Sequence, residues 1–344
     1  MSELQLIYER LDQACCPEEV FGDAADISAN FKLLARACHP DFHPGDPLAK
    51  KAFQKLNSLK VVAEERVKAG EWGKKIPLPH CTPVKIGAYD VNRDPQIGDI
   101  ADVYRVRGAD AYVKVARSHN DNDLIRAEAE ALKVLEGVKP PICEGIPKLR
   151  STFQIDGLRK REVNVILGFP DFISLLNVRG KMDVDARTSV WIFKRLLSVL
   201  SWVHHFKMIH GAILPPHVLV YPDNDGRSGF DPRKHTVRVI DWCYSVDYKK
   251  RTRLSAWVPA WKDHYAPELL NKTGIGPSSD IYMAAKLIRY LCGKLPPAME
   301  TVLNRCLDPN PKKRYQKAGH VFDDWMKAAV MEFGSPKWHE FNLP

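Results

Sequence analysis

The chain has 344 residues, of which 45% are hydrophobic and 27% charged, and its formal net charge is +9. That length implies two or three domains, and the composition is that of a globular chain with enough apolar material for a core. No apolar run reaches the ~18 residues a membrane span needs. The N-terminus, Met1-Ser2-Glu3-Leu4-Gln5, lacks the basic and apolar regions of a signal peptide. A cytoplasmic protein is therefore expected.

The charge is unevenly spread. Residues 1–72 hold 9 Lys+Arg against 12 Asp+Glu, a net of −3, so the remainder carries +12. A basic C-terminal region suits an acidic protein, phospholipid or nucleic acid, although no nucleic-acid-binding motif accompanies it. The eight cysteines, Cys15, Cys16, Cys38, Cys81, Cys143, Cys243, Cys292 and Cys306, form no C-x-x-C pair. Buried thiols fit this spacing better than a zinc site or a disulfide framework.

Residues 1–72 read as helical. Leu4, Ile7 and Leu11, then Phe31, Leu34 and Ala35, recur at helical spacing. Another helix starts after Asp46-Pro47, an N-cap followed by a first-turn proline, and carries Phe53, Leu56 and Ala63 near one face. The proline-rich turn from His39 to Asp46 joins the two as a helical hairpin. Residues 73–85 contain three prolines and no periodicity, the composition of a linker.

Beyond it the pattern changes. Ile97–Val106 and Ala111–Ala116 alternate around Gly108-Ala109-Asp110, which predicts a hairpin. Leu124–Leu135 predicts a helix, and Lys148–Phe153 and Val163–Leu167 predict strands. From Val184 onward long helical patterns dominate, broken by short strands at Val218–Val220 and Val237–Ile240. Strands first and helices later argue for an α+β fold in two lobes.

His39-Pro40-Asp41 between two helices resembles the signature of J-domain co-chaperones. The loop Asp41-Phe42-His43-Pro44-Gly45-Asp46-Pro47 and the helix start Ala52-Phe53-Gln54-Lys55-Leu56-Asn57 extend the likeness over residues 1–72. The resemblance implies a domain that docks on a DnaK-type chaperone ATPase through His39, Pro40 and Asp41, assisted by Lys32 and Arg36. Leu33 and Ala37 occupy helix positions that are usually basic in the family. Read as plain structure, the tripeptide only turns the chain.

The rest of the chain, from about 90 to 330, resembles a protein kinase. His210-Gly211-Ala212-Ile213-Leu214-Pro215-Pro216-His217 has the layout of a catalytic loop, and Asp241-Trp242-Cys243 that of the metal-binding turn. Ala266-Pro267-Glu268, Asp280 and Arg314 follow in the family's order, and the resemblance implies that Arg314 pairs with Glu268. Lys114 takes the place of the strand lysine that holds phosphates, and Glu128 that of its helix partner. In the phosphate-covering loop only Gly98 remains of three glycine positions, with Gln96 and Ala101 at the others. Asp99 and Asp102 add negative charge there.

The catalytic loop departs most. Ala212 stands at the position of the aspartate base, so no catalytic residue is assigned. Gly211, Leu214 and His217 replace the loop's arginine, lysine and asparagine. Loss of a general base alone costs roughly 10²–10⁴ in rate, and imidazole is a poor ligand for hard Mg²⁺.

The expected architecture is thus a small all-α helical-hairpin J-domain (1–72), a linker (73–85) and a bilobal protein-kinase-like fold with lobes 86–170 and 171–344. The resemblance implies a pseudokinase-like module that binds ATP through Gly98, Lys114, Glu128 and Asp241. Mg²⁺ or Mn²⁺ would sit on Asp241 and His217. The module would act as scaffold or client-binding partner for the co-chaperone. Two alternatives stand beside it: an atypical phosphotransferase or nucleotidyl transferase, and a nucleotide-free module that binds an acidic partner or nucleic acid.

Overall fold

The computed structural model describes residues 3–78, 84–137, 145–157, 159–169, 172–221 and 235–335, together with 337 and 341. The architecture is α+β, with a helical N-terminal region and a sheet-bearing C-terminal part. The chain divides into two compact units, Met1–Asp94 and Pro95–Pro344. No helix among the described residues is long and apolar enough to cross a membrane.

The first unit contains α1 (Glu3–Gln13), α2 (Glu18–Phe21), α3 (Ile27–Cys38) and α4 (Pro47–Lys68), then a hairpin of β1 (Val84–Ile86) and β2 (Tyr89–Val91). Asp46 caps α4 as its sequence suggests: Leu48 N donates to Asp46 Oδ1 at 2.8 Å, and Pro47 opens the first turn. Buried Ala49, Ala52, Leu56, Leu59 and Ala63 recur every three or four residues along one face of α4. The alanines keep α4 close to α1 and α3, while Leu11, Phe21, Leu34 and Leu56 fill the core. A buried ion pair, Arg66 to Glu18 at 3.3 Å, ties the end of α4 to α2.

Part of the expected linker is attached to this unit. Leu78 is buried in the helical core, and its N–H donates to Cys15 O at 2.8 Å. Composition reads residues 73–78 as a spacer, whereas one leucine and one backbone bond hold their end in place. Residues 79–83, including Cys81, lie outside the described residues, as does Cys143. The hairpin 84–91 groups with the first unit, although residues 86–91 follow the linker in the sequence-based division.

The second unit opens with β3 (Gln96–Ile97), β4 (Ala101–Arg105), β5 (Ala111–Ala116), α5 (Asn122–Glu136), β6 (Leu149–Ile155) and β7 (Arg161–Leu167). The strands form one antiparallel sheet in the order β3-β4-β5-β7-β6. The segment Ile97–Val106, expected as one strand, is interrupted after Ile97. Gly98 N donates to Ala101 O at 2.9 Å in a tight turn, and a Cβ on Gly98 would lie 2.7 Å from that oxygen. Gly108 turns β4 into β5 at φ 69°.

The remainder comprises β8 (Ile173–Ser174), α6 (Leu175–Lys181), α7 (Ala186–His205), β9 (Met208–Ile209), β10 (Val218–Tyr221), β11 (Thr236–Val239), β12 (Val246–Asp247), α8 (Pro267–Leu270), α9 (Pro277–Leu291), α10 (Pro297–Cys306) and α11 (Ala318–Phe333). Asp185 caps α7, its Oδ1 accepting from Thr188 N at 2.6 Å. β10 pairs antiparallel with β11 and β8, and β9 with β12. These short ladders carry the loop before β10 and the turn after β11, and so present the 210–217 and 241–244 segments to the first sheet of the unit.

Candidate functional site

β5 carries Lys114 with Asn164 of β7 directly opposite it. Both side chains point toward α5, whose buried face is Leu124, Ile125, Glu128, Ala129, Leu132 and Leu135. The sequence offers two glutamates here, and the helix decides between them: Glu128 is buried, while Glu130 is exposed. Lys114 Nζ lies 3.2 Å from Glu128 Oε1 and 2.5 Å from Asp241 Oδ1. Asn164 Nδ2 donates to Glu128 Oε2 at 3.0 Å and to Ile125 O at 2.8 Å, which fixes α5 against the sheet. Trp242 N donates to Glu128 Oε1 at 3.2 Å, so the carboxylate is held from three directions.

Asp241 follows β11 in the left-handed region, with φ 65° and ψ 67°. That conformation costs a non-glycine residue roughly 1–2 kcal/mol, and its surroundings hold it there. Trp242 is fully buried, its indole Nε1 donates to Val239 O at 2.9 Å, and its ring meets His210 edge-on at 4.6 Å. Burial would raise the Asp241 carboxyl, but Lys114 and His217 beside it hold it well below the ordinary range. Burial likewise opposes the charged form of Lys114, yet the carboxylates of Asp241 and Glu128 outweigh it and hold the ammonium well above the usual value. A permanently charged lysine between two carboxylates is a pre-positioned cation for a polyanion.

The loop from 210 to 217 is supported by Asp280 at the start of α9. Asp280 Oδ2 accepts from His210 N at 2.8 Å and Oδ1 from Gly211 N at 2.9 Å, with His204 Nε2 at 3.1 Å. His210 donates from Nε2 to Ile240 O at 3.1 Å, and its Nδ1 accepts from Ala212 N at 3.2 Å. Burial pushes His210 down to about 4, so the ring is neutral and serves the loop's geometry. Gly211 has φ 74°, and a Cβ there would lie 2.5 Å from Tyr244 O. An arginine at that position has no room, which gives the departure of Gly211 a packing reason.

Ala212 and Leu214 are fully buried and carry no proton-accepting group. His217 Nδ1 lies 2.9 Å from Ala212 O, and its Nε2 lies 3.2 Å from Asp241 Oδ2. Each of its ring nitrogens thus faces an oxygen of the protein. Glu128, Asp241 and Cys243 offer donor atoms all within 4.8 Å of one another. The set fits a resident hard cation poorly. Lys114 already occupies the space between the two carboxylates, and burial holds the Cys243 thiol well above its ordinary value, hence protonated. Of the expected pair Asp241 and His217, Asp241 alone matches the oxygen chemistry of Mg²⁺ or Mn²⁺, and one carboxylate suffices only for an ion whose other ligands are phosphates and water.

Over this cluster lies a contact that the sequence did not announce. Tyr244 OH donates to Asp99 Oδ2 at 2.6 Å, joining the turn after Asp241 to the tight turn that follows Gly98. Tyr244 also stacks parallel to His217, with ring centroids 6.4 Å apart and 13° between planes. Asp102 faces the other way, toward Arg117 at 3.5 Å. The two acids are therefore absorbed by a phenol and a guanidinium. Away from the cluster, Arg314 donates to both oxygens of Glu268 at 2.7 and 2.9 Å, the pairing that the motifs imply, and Ser279 Oγ also donates to Glu268.

In the first unit, Pro40–Phe42 forms a single 3₁₀ turn. His39 Nδ1 accepts from Asp41 N at 3.2 Å, and the His39 ring packs edge-on against Phe53 at 4.6 Å. Asp41 stands out from the turn with its side chain 86% exposed. Lys32 and Arg36 are exposed one helical turn apart on α3, and Leu33 and Phe42 are exposed as well. No protein-family model matches the chain.

Proposed function

We propose that the second unit is a pseudokinase-like module that binds the polyphosphate of ATP without transferring it, and that the first unit is a J-domain-like recruiter of a DnaK-type chaperone ATPase. The observation that carries this reading is Lys114 held between Glu128 and Asp241 while buried Ala212 stands where a proton acceptor is needed. A phosphate oxygen would exchange for the lysine's contact with Asp241. The carboxylate would then be open to an ion that arrives with the nucleotide, and among the described residues no proton acceptor stands at the Ala212 position to deprotonate a hydroxyl.

Such a module senses nucleotide or holds a partner. The J-like unit would bring that partner to the chaperone, with Asp41 as the outward-facing contact and Lys32 and Arg36 as its basic flank. The test is calorimetric titration of the full chain with Mg-ATP, beside Lys114→Ala, and a label-transfer assay with γ- and α-labelled ATP. Binding that Lys114→Ala abolishes, without transferred label, supports the reading. Label transfer above an Asp241→Ala control would favour an atypical transferase, and the absence of any nucleotide binding would leave a nucleotide-free interaction module.

A further inference from the structure

A second concave site lies between α7 and α11. Arg187, Trp191, Lys194 and Arg195 share one face of α7, spaced four, seven and eight residues from the first. Met326, Ala329, Val330 and Phe333 of α11 face them at helical spacing. Together they bound a half-open cavity of about 370 Å³. Pockets for small ligands run from roughly 300 to 1,000 Å³ and pair an apolar lining with a few placed polar groups.

The chemistry of the lining is one-sided. Lys337 adds a further cation at the rim, and among the described residues no carboxylate lines the cavity. Arg187 is exposed and lies 4.4 Å over the Phe333 ring, so its charge sits at the edge of the apolar floor. Partial burial and the neighbouring Arg195 both disfavour the charged form of Lys194. Arg187, Lys194 and Lys337 thus present positive charge to the cavity, which a bound anion would complement. The Trp191 indole Nε1 is buried and has no acceptor among the described residues, while Val330, on the opposite wall, leaves 44% of its surface exposed.

We propose that the α7–α11 cavity binds a single free acyl anion, its chain on Trp191, Met326 and Phe333 and its carboxylate or phosphate head on Arg187 and Lys194. The volume limits the occupant to one small molecule rather than a folded segment. The proposal is independent of the nucleotide cluster around Lys114.

The experiment titrates the full chain with dodecanoate and with dodecyl phosphate below their micelle concentrations. Dodecyltrimethylammonium and inorganic phosphate serve as comparisons, and phosphatidylglycerol vesicles as a membrane arm. Dodecanoate and dodecyl phosphate are expected to bind the native chain. Loss of charge-assisted hydrogen bonds in an Arg187→Gln, Lys194→Gln variant should weaken both by about tenfold or more. Because Arg187 is exposed and Lys194 only partly buried, circular dichroism and the thermal midpoint of the variant should stay close to native. Equal binding of the cationic amphiphile, unchanged affinity in the variant, or binding to vesicles without binding to dodecanoate would each overturn the proposal.

Discussion

Tyr244 OH donates to Asp99 Oδ2 at 2.6 Å and thereby fastens the turn after Gly98 onto the turn that carries Asp241. The bond places a third carboxylate beside a cluster that already holds Glu128 and Asp241, and it neutralises nothing. On the proposed nucleotide-binding reading, Asp99 repels a polyanion approaching Lys114, and the Tyr244–Asp99 contact would act as a latch that holds it there.

Removing the latch should favour nucleotide. A neutral hydrogen bond to a charged group is worth about 1.5–3 kcal/mol, part of which must be given up on opening. Tyr244→Phe keeps the ring stacked on His217 and deletes only the hydroxyl. The expected outcome is several-fold tighter Mg-ATP binding by calorimetry, and unchanged or weaker binding would contradict it.

Restoring the missing acid should not restore transfer. Ala212 is fully buried, its N–H is committed to His210, and Leu214 and His217 differ from a transferase loop as well. Ala212→Asp places a carboxylate in a buried site at a cost of about 1–3 kcal/mol. Its urea midpoint should fall and γ-label transfer should remain at the level of Lys114→Ala.

Acid should destabilise the second unit before any carboxylate titrates. His210 is held neutral at about 4 in the fold, against 6.5 for the free side chain. Between those values the unfolded chain binds a proton that the folded chain does not, so stability falls as pH drops from 6.5 toward 4 and levels off below. The shift corresponds to roughly 3 kcal/mol. Urea midpoints measured across this range should show the loss, and His210→Gln should flatten it.

The Arg314–Glu268 pair anchors α8 to the segment before α11, and both residues are buried. Deleting one partner strands the other charge. Arg314→Ala should cost about 3–5 kcal/mol in equilibrium unfolding, whereas exposed Arg253 changed to alanine should cost at most ~0.5 kcal/mol.

Asp41 offers a test that separates the proposed recruitment from folding in the first unit. Its side chain is 86% exposed and lies at the tip of the 3₁₀ turn. Asp41→Ala should leave the thermal midpoint nearly unchanged and abolish any stimulation of a DnaK-type ATPase, read by phosphate release.

Much of this arrangement is legible in the chain because its signals are local or chemically specific. Asp46-Pro47 announces the start of α4 and Gly108 the β4–β5 turn, while the Arg314–Glu268 pair follows from the kinase resemblance rather than from either residue alone. Lys114, Glu128 and Asp241 are singled out by the kinase resemblance, and the structure brings their side chains together. What stayed hidden depends on distance in the chain or on close packing. Tyr244 and Asp99 are 145 positions apart, and no motif pairs them. Gly98 breaks an otherwise alternating strand because its backbone closes on Ala101, and Leu78 turns a proline-rich spacer into a docked tail.

The central claim is that Lys114, held by Glu128 and Asp241, receives a nucleotide's phosphates. Calorimetric titration of the native chain and of Lys114→Ala with Mg-ATP tests it most directly. The account predicts saturable binding by the native chain that is lost in the variant. No heat from the native chain, or identical binding by both, would contradict it.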